Sequence, residues 1–233
     1  MTRSEFIAVV APVAVKVRVD GGPLFPSVSI AQMLLETGGR LNGWNNLVGY
    51  KVGDGARTPY WDGKAVSKTT WEVYEGRIET PTADFRAYPS IEYCLKDQAL
   101  LFYRLRHRYQ RVIDAKTPRE QAEMLQACGY ATDPNYAAKI WTIIRSDQLE
   151  NYDREAEKAV EVLKELAEQV AKLRRDVEAL QKRGGMGVPT WAQEAVEAAV
   201  RAKLIDTPDG GSFDFYRLVT ILHRAGLIPN EVK

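Results

Sequence analysis

At 233 residues, 45% hydrophobic and 27% charged, the chain is long enough for one well-packed domain plus an appendage and has the balance of an ordinary globular protein. Its 32 Lys and Arg against 31 Asp and Glu leave a formal net charge of +1, so overall charge points to neither a nucleic-acid nor a membrane partner. The 2 cysteines, Cys94 and Cys128, fall in apparently helical stretches, which suits buried thiols better than a disulfide framework while leaving a single bridge open. His107 and His223 have no partner at ligand spacing, and neither a phosphate-binding loop nor a dinucleotide fingerprint occurs, so no metal or cofactor is expected.

In chain order, the apolar run Phe6 to Val15 is short and follows Arg3, as a secretory leader would. Lys16 and Arg18 stand just behind it, however, no small-residue cleavage pattern follows, and Phe6, Val9, Val10 and Val13 share one helical face. A first helix of the fold is therefore expected, in a protein made in the cytoplasm without a signal peptide, and no stretch is apolar enough to insert in a membrane. The Gly/Pro connection VDGGPLFP, residues 19–26, leads to a second helix. There Ser29 and Gln32 have capping-box spacing, and Val28, Ala31, Leu34 and Leu35 recur at helical intervals before Gly38 and Gly39. Glu36 falls in the last turn. The partial negative charge of that terminus and the apolar neighbours both push a carboxyl pKa upward, and a proton held near neutral pH is what a general acid needs. A solvated glutamate at a helix end would satisfy the same spacing.

From Leu41 to Pro89, Gly, Asn and Asp recur, and the strand-like runs Val66 to Tyr74 and Arg77 to Thr80 are joined at Glu75-Gly76 as a hairpin. This segment reads as a small β lobe. Helices return at Ser90, where Ile91, Leu95, Ala99, Phe102, Leu105, Tyr109 and Val112 make one apolar stripe and Arg104, Arg106, Arg108 and Arg111 a solvated surface. Thr117-Pro118-Arg119-Glu120 is a complete helix start, and Asp133-Pro134 begins the next helix, with Ala137, Ile140, Trp141 and Ile144 inside. From Asp153 to Arg183 the chain turns rich in Glu, Lys, Ala, Leu and Arg, with Leu163, Val170 and Val177 at a positions and Ala159, Leu166, Leu173 and Leu180 at d. Val at a with Leu at d favours a parallel two-stranded coil, hence a homodimer through 153–183; a single amphipathic helix folded back on the first domain is the alternative. Residues 184–189, GGMGVP, read as a linker, and 190–233 as a helical hairpin.

The order of motifs resembles the family 73 glucosaminidases, peptidoglycan-cleaving members of the lysozyme-like superfamily that include the flagellar rod hydrolases. The resemblance is carried by Ser27-Val28-Ser29-Ile30-Ala31-Gln32 with Leu35-Glu36-Thr37-Gly38, by Asn46-Leu47-Val48-Gly49-Tyr50-Lys51, by Phe85-Arg86-Ala87-Tyr88, and by Tyr130-Ala131-Thr132-Asp133-Pro134-Asn135-Tyr136. Thr37 and Val48 depart from the usual Ser and Phe, and Gly39-Arg40 from the usual continuation. The resemblance implies a mainly α (α+β) fold, a lysozyme-like helical domain with a β-hairpin lobe over 1–152. It also implies hydrolysis of the β-1,4 bond with GlcNAc on the non-reducing side of the cut, as an endo-β-N-acetylglucosaminidase.

On that reading Glu36 is the general acid and Glu72, in Thr70-Trp71-Glu72-Val73, the base, with Glu75 or Glu79 competing after a register shift. Tyr130 matches a tyrosine near the acid, with Tyr136 a packing residue of the following helix. Asn46 and Gly49 line the sugar groove, while Trp71 and Tyr88, and less so Trp61, offer stacking faces. The partner implied is cell-wall peptidoglycan, with a phage lysin or an assembly-delivered bacteriolytic hydrolase as the setting. The pattern WAxEAVxxAVxxxLI from Trp191, followed by a loop and helix, resembles half of an S-layer-homology wall-binding motif, with Asp214-Phe215-Tyr216-Arg217 replacing the usual Thr-Arg start. A muramidase or lytic transglycosylase acting on the other β-1,4 bond, and a non-catalytic wall-binding protein, are the competing readings.

Overall fold

The computed structural model describes the backbone of residues 1–69, 72–74, 77–79 and 82–229, and the side chains of these except at 69, 72–74, 77–79 and 183. Two compact units divide the chain, Met1–Val162 and Leu163–Lys233.

The first unit is mainly helical with a small β lobe. Helix α1 (Arg3–Val19) starts at a capping box, in which Thr2 Oγ1 accepts from the Glu5 N–H and Glu5 Oε2 from the Thr2 N–H at 2.7 Å. It buries Phe6, Ile7, Val10, Ala11 and Ala14, whereas Val9, expected inside, is exposed, so the inner stripe is rotated toward Ile7. Helix α2 (Pro26–Thr37) packs against α1 and is buried from Pro26 to Leu34, including Ser27, Ser29 and Gln32. The expected capping box at Ser29 and Gln32 does not form. Pro26 at the first position starts the helix a turn earlier, behind Phe25, which offers no side-chain cap.

The β lobe is formed by β1 (Ala65–Thr69), β2 (Glu72–Tyr74), β3 (Arg77–Glu79) and β4 (Thr82–Arg86). β1 pairs antiparallel with β4, Ala65 opposite Arg86 and Thr69 opposite Thr82, and β2 with β3, Glu72 opposite Glu79. Both pairs keep one common register, as a single hairpin would; Glu75 and Gly76, the expected connection, lie outside the described residues.

Beyond it, the single stripe expected from Ile91 to Val112 is carried by two helices, α3 (Ile91–Arg104) and α4 (Arg106–Ile113), because Leu105 leaves the helical region at φ −101°, ψ 38°. Leu95, Phe102, Tyr109 and Val112 are buried and the four arginines exposed. Helix α5 (Pro118–Ala127) is capped by Thr117 Oγ1, which accepts from the Glu120 N–H; the Glu120 carboxylate accepts from Lys116 N–H instead of closing on the cap residue. Helix α6 (Tyr136–Ser146) starts two residues past Pro134, since Asp133 Oδ1 takes the Asn135 N–H at 2.9 Å in a local turn. Helix α7 (Glu150–Gly184) then begins inside the first unit, with Asp153 and Ala156 buried. Asp153 Oδ1 accepts the Ser27 N–H at 2.8 Å, and Gln121 Oε1 of α5 the Phe25 N–H at 2.7 Å. The start of α2, which lacks a cap of its own, is capped from two other helices.

In the second unit a 3₁₀ turn (Thr190–Ala192), α8 (Gln193–Arg201) and α9 (Phe213–Arg224) enclose a core of Ala195, Val196, Ala199, Tyr216, Val219 and Ile228. Met186, placed in the linker by composition, donates its N–H to Gly211 O at 3.0 Å and accepts from Tyr216 Oη. Along α7, Leu163, Leu166, Val170, Leu173, Val177 and Leu180 stand 48–64% exposed.

Candidate active site

Glu36 sits in the last turn of α2, closed at Gly38, whose φ of 62° is the left-handed cap geometry that glycine adopts without strain. Two cavities meet at this acid. One, of about 590 Å³, is lined by Arg40, Asn42, Trp44, Lys68 and Phe85; the other, of about 540 Å³, by Lys51, Gln98, Tyr130, Asp133 and Tyr136. Glu36 and Gly49 line both. Gly49 has φ +66°, and a Cβ built there would stand 3.2 Å from Glu36 Oε2. The NLxGxK turn thus packs against the acid at Gly49, where an added side chain would crowd the carboxylate.

As a residue Glu36 is exposed, because both cavities open onto it. Its carboxyl nevertheless has enough protein packed around it that burial raises its pKa above the ordinary glutamate value. Water reaches one side while the other sides are protein, so solvent screens the rise. Among the described residues no Lys, Arg or His comes within 4.0 Å of it to reverse the effect.

On the tyrosine side two glutamines hold two phenols. Gln32, one helical turn before Glu36 on α2, donates through Nε2 to Tyr136 Oη at 2.8 Å. Gln98 on α3 donates through Nε2 to Tyr130 Oη at 2.7 Å and to Gln32 Oε1 at 3.1 Å. Each phenol oxygen accepts an amide proton, which leaves its own O–H to donate to a ligand. Burial raises both phenol pKa values, with the Glu36 charge adding to each, so both stay protonated. Tyr130 also stacks on Phe102 with ring centroids 5.7 Å apart. Tyr136 is buried in the core, as expected of a packing residue, and its phenol oxygen is also tied to Gln32. Gln32 and Gln98 were missed as site residues; the spacing of Gln32 four residues before Glu36 on one helix face was the available signal.

Other expected sugar contacts serve the scaffold. Asn46 lines the Trp44 cavity, yet its Nδ2 donates to Tyr50 O and Arg86 O at 2.8 Å each and its Oδ1 accepts the Tyr50 N–H, tying the turn to β4. Tyr88 is buried and donates its O–H to Asp97 Oδ2 at 2.7 Å. The same carboxylate holds Arg86 Nη1 at 2.8 Å and Thr58 Oγ1 at 2.7 Å, and Arg86 lies between the rings of Tyr50 and Trp61. The FRAY motif is a buried ion-pair knot, which leaves Tyr88 and the buried Trp61 no face for a sugar. Trp44, half-buried on the cavity wall, is the aromatic the sequence reading overlooked. Trp71 lies outside the described residues; the backbone of Glu72 is in β2, and its side chain lies outside them. Cys94 and Cys128 are free, and burial pushes the Cys94 thiol up to about 12. Among the described residues no group of three or more His, Cys, Asp or Glu is gathered as metal ligands.

The glucosaminidase family model, described as mannosyl-glycoprotein endo-beta-N-acetylglucosaminidase, matches residues 15–149. The chain is 36% identical over 143 residues to the exo-glucosaminidase LytG of Bacillus subtilis, covering 56% of this chain and 46% of that protein. It is 35% identical over 162 residues to the peptidoglycan hydrolase FlgJ of Pseudomonas aeruginosa, covering 62% of this chain and 36% of that protein. The catalytic domain of the autolysin Auto from Listeria monocytogenes superposes with a TM-score of 0.53 at 30% identity, over 64% of this chain and 86% of that one. The chain thus spans less than half the length of those two curated relatives. With the match running through the Glu36 helix, the Gly49 turn and the Tyr130 motif, the chain belongs to the glucosaminidase family of glycoside hydrolases.

Proposed function

We propose that the protein hydrolyses the β-1,4 bond of peptidoglycan with GlcNAc on the non-reducing side of the cut. The observation that carries this is the meeting of two cavities at one acid whose burial raises its pKa. A glycan strand lying through both cavities crosses Glu36, which gives its proton to the leaving glycosidic oxygen. Cavities on both sides of the acid suit cleavage within a strand. The phenols of Tyr130 and Tyr136 donate to the sugar on their side. Positive charge growing at the anomeric carbon is met from the hairpin by Glu72, and a water supplies the hydroxyl that completes hydrolysis.

The exposed a and d stripe of α7 supports a parallel homodimer, and the helical C-terminal unit a wall-targeting role, so that the protein works at the cell wall. No helix among the described residues is long and apolar enough to cross a membrane.

Turbidity clearing of purified sacculi tests the reading. Glu36→Gln should slow it by about a hundredfold or more while leaving sedimentation with the walls intact, the usual range for losing a general acid. Glu72→Gln should slow it as well. Wild-type protein that sediments with walls and never clears them would show a wall-binding protein instead.

A further inference from the structure

The charges around the candidate acid are distributed unevenly. In the Trp44 cavity, Arg40 follows the end of α2 and Lys68 comes from β1, its Nζ 3.9 Å above the Trp44 ring. Both are exposed, and among the described residues neither has a carboxylate within 4.0 Å. Among the described residues Glu36 is the one acid lining that cavity. In the tyrosine cavity, among the described residues, the charged side chains beside Glu36 are one lysine, Lys51, and one acid, Asp133, which pairs with Lys139 at 2.6 Å. A solvated lysine has no reason to lie over an indole; the ring quadrupole holds the Lys68 ammonium at the cavity wall.

We infer that Arg40 and Lys68 bind a carboxylate carried on the lactyl branch of the MurNAc unit, so that the anionic sugar lies on the Trp44 side and the neutral GlcNAc on the tyrosine side. This rests on the glucosaminidase reading. It makes the two cations the determinants of which of the alternating β-1,4 bonds is set over Glu36. A neutral glycan would leave both without a carboxylate partner among the described residues. The carboxylate has two sources, the lactyl group itself or the stem peptide attached to it.

The test uses the full chain and glycan strands in three forms: peptide-bearing, stripped by an amidase so that each lactyl carboxylate is free, and stripped then coupled to methylamine so that the carboxylate becomes a neutral amide. Wild-type kcat/KM should favour anionic strands, and Arg40→Gln with Lys68→Gln should shrink that preference about tenfold, through KM, as two solvent-exposed charge contacts allow. A preference confined to the stripped strands assigns the cations to the lactyl carboxylate, which is an amide in the peptide-bearing form; one confined to peptide-bearing strands assigns them to carboxylates of the stem peptide, and one shared by both shows that either carboxylate on the branch is taken. An undiminished preference in the double variant, or an equal loss on all three forms, overturns the inference. Equilibrium binding of the same strands to chains that also carry Glu36→Gln repeats the comparison without hydrolysis. Charge-dependent binding by a chain that never cleaves would therefore defeat the hydrolase reading alone.

Discussion

Gly49 is where backbone conformation and chemistry meet most closely. Its positive φ costs any other residue about 1–2 kcal/mol, and a methyl group there would press on Glu36 Oε2. Gly49→Ala should therefore lower both Tm and kcat, the latter by about tenfold to a hundredfold, as small displacements of a reacting group do. A variant with wild-type kcat would show that the acid does not depend on this wall. Because burial raises the Glu36 pKa, the protonated acid should persist above the ordinary carboxyl range, and kcat/KM should fall as pH climbs through the raised value. The stability sign follows: the contribution of Glu36 is complete below the ordinary pKa of about 4.3 and is lost as pH rises through the folded-state value. Glu36→Gln should thus raise Tm at neutral pH, and the gain should vanish in acid. The place of Glu36 in a last turn beside a helix stop was legible from spacing, whereas its candidacy as the acid came from the family resemblance. Asn46 lines the cavity as expected, but a sequence does not reveal that its amide is already spent on the backbone, or that the Tyr88 phenol, expected to offer a stacking face, is buried on Asp97.

Helix α2 carries the acid at one end and borrows its cap at the other. Asp153 reaches the Ser27 N–H from α7, a contact spanning 126 residues of sequence that no local pattern encodes. Asp153→Ala strands a buried donor and should destabilise the first unit by about 1–3 kcal/mol, whereas Asp153→Asn keeps an acceptor and should cost much less. Urea unfolding midpoints decide, and equal losses for the two variants would discount the cap. A chain cut after residue 152 loses this contact and should fold poorly, while one cut after 162 retains the whole first unit and should be active. The hairpin and most helices were readable from turn residues and period. What escaped were the start of α2, set by Pro26 ahead of a plausible capping box, and the break at Leu105, across which the apolar stripe runs without interruption.

The molecule as a whole joins a glucosaminidase-family unit to a second helical unit with its own core, and α7 runs through the division. Its exposed stripe should bury itself in a parallel dimer, so sedimentation equilibrium should give twice the chain mass and Leu166→Glu with Leu173→Glu one chain mass. Wild-type protein that stays monomeric at high concentration would remove the coil. The decisive measurement is mass spectrometry of borohydride-reduced fragments released from sacculi by the wild-type chain, with Glu36→Gln as control. Reduced GlcNAc at the new ends, absent from the control digest, is the expected result; reduced or anhydro MurNAc there would contradict the assigned bond.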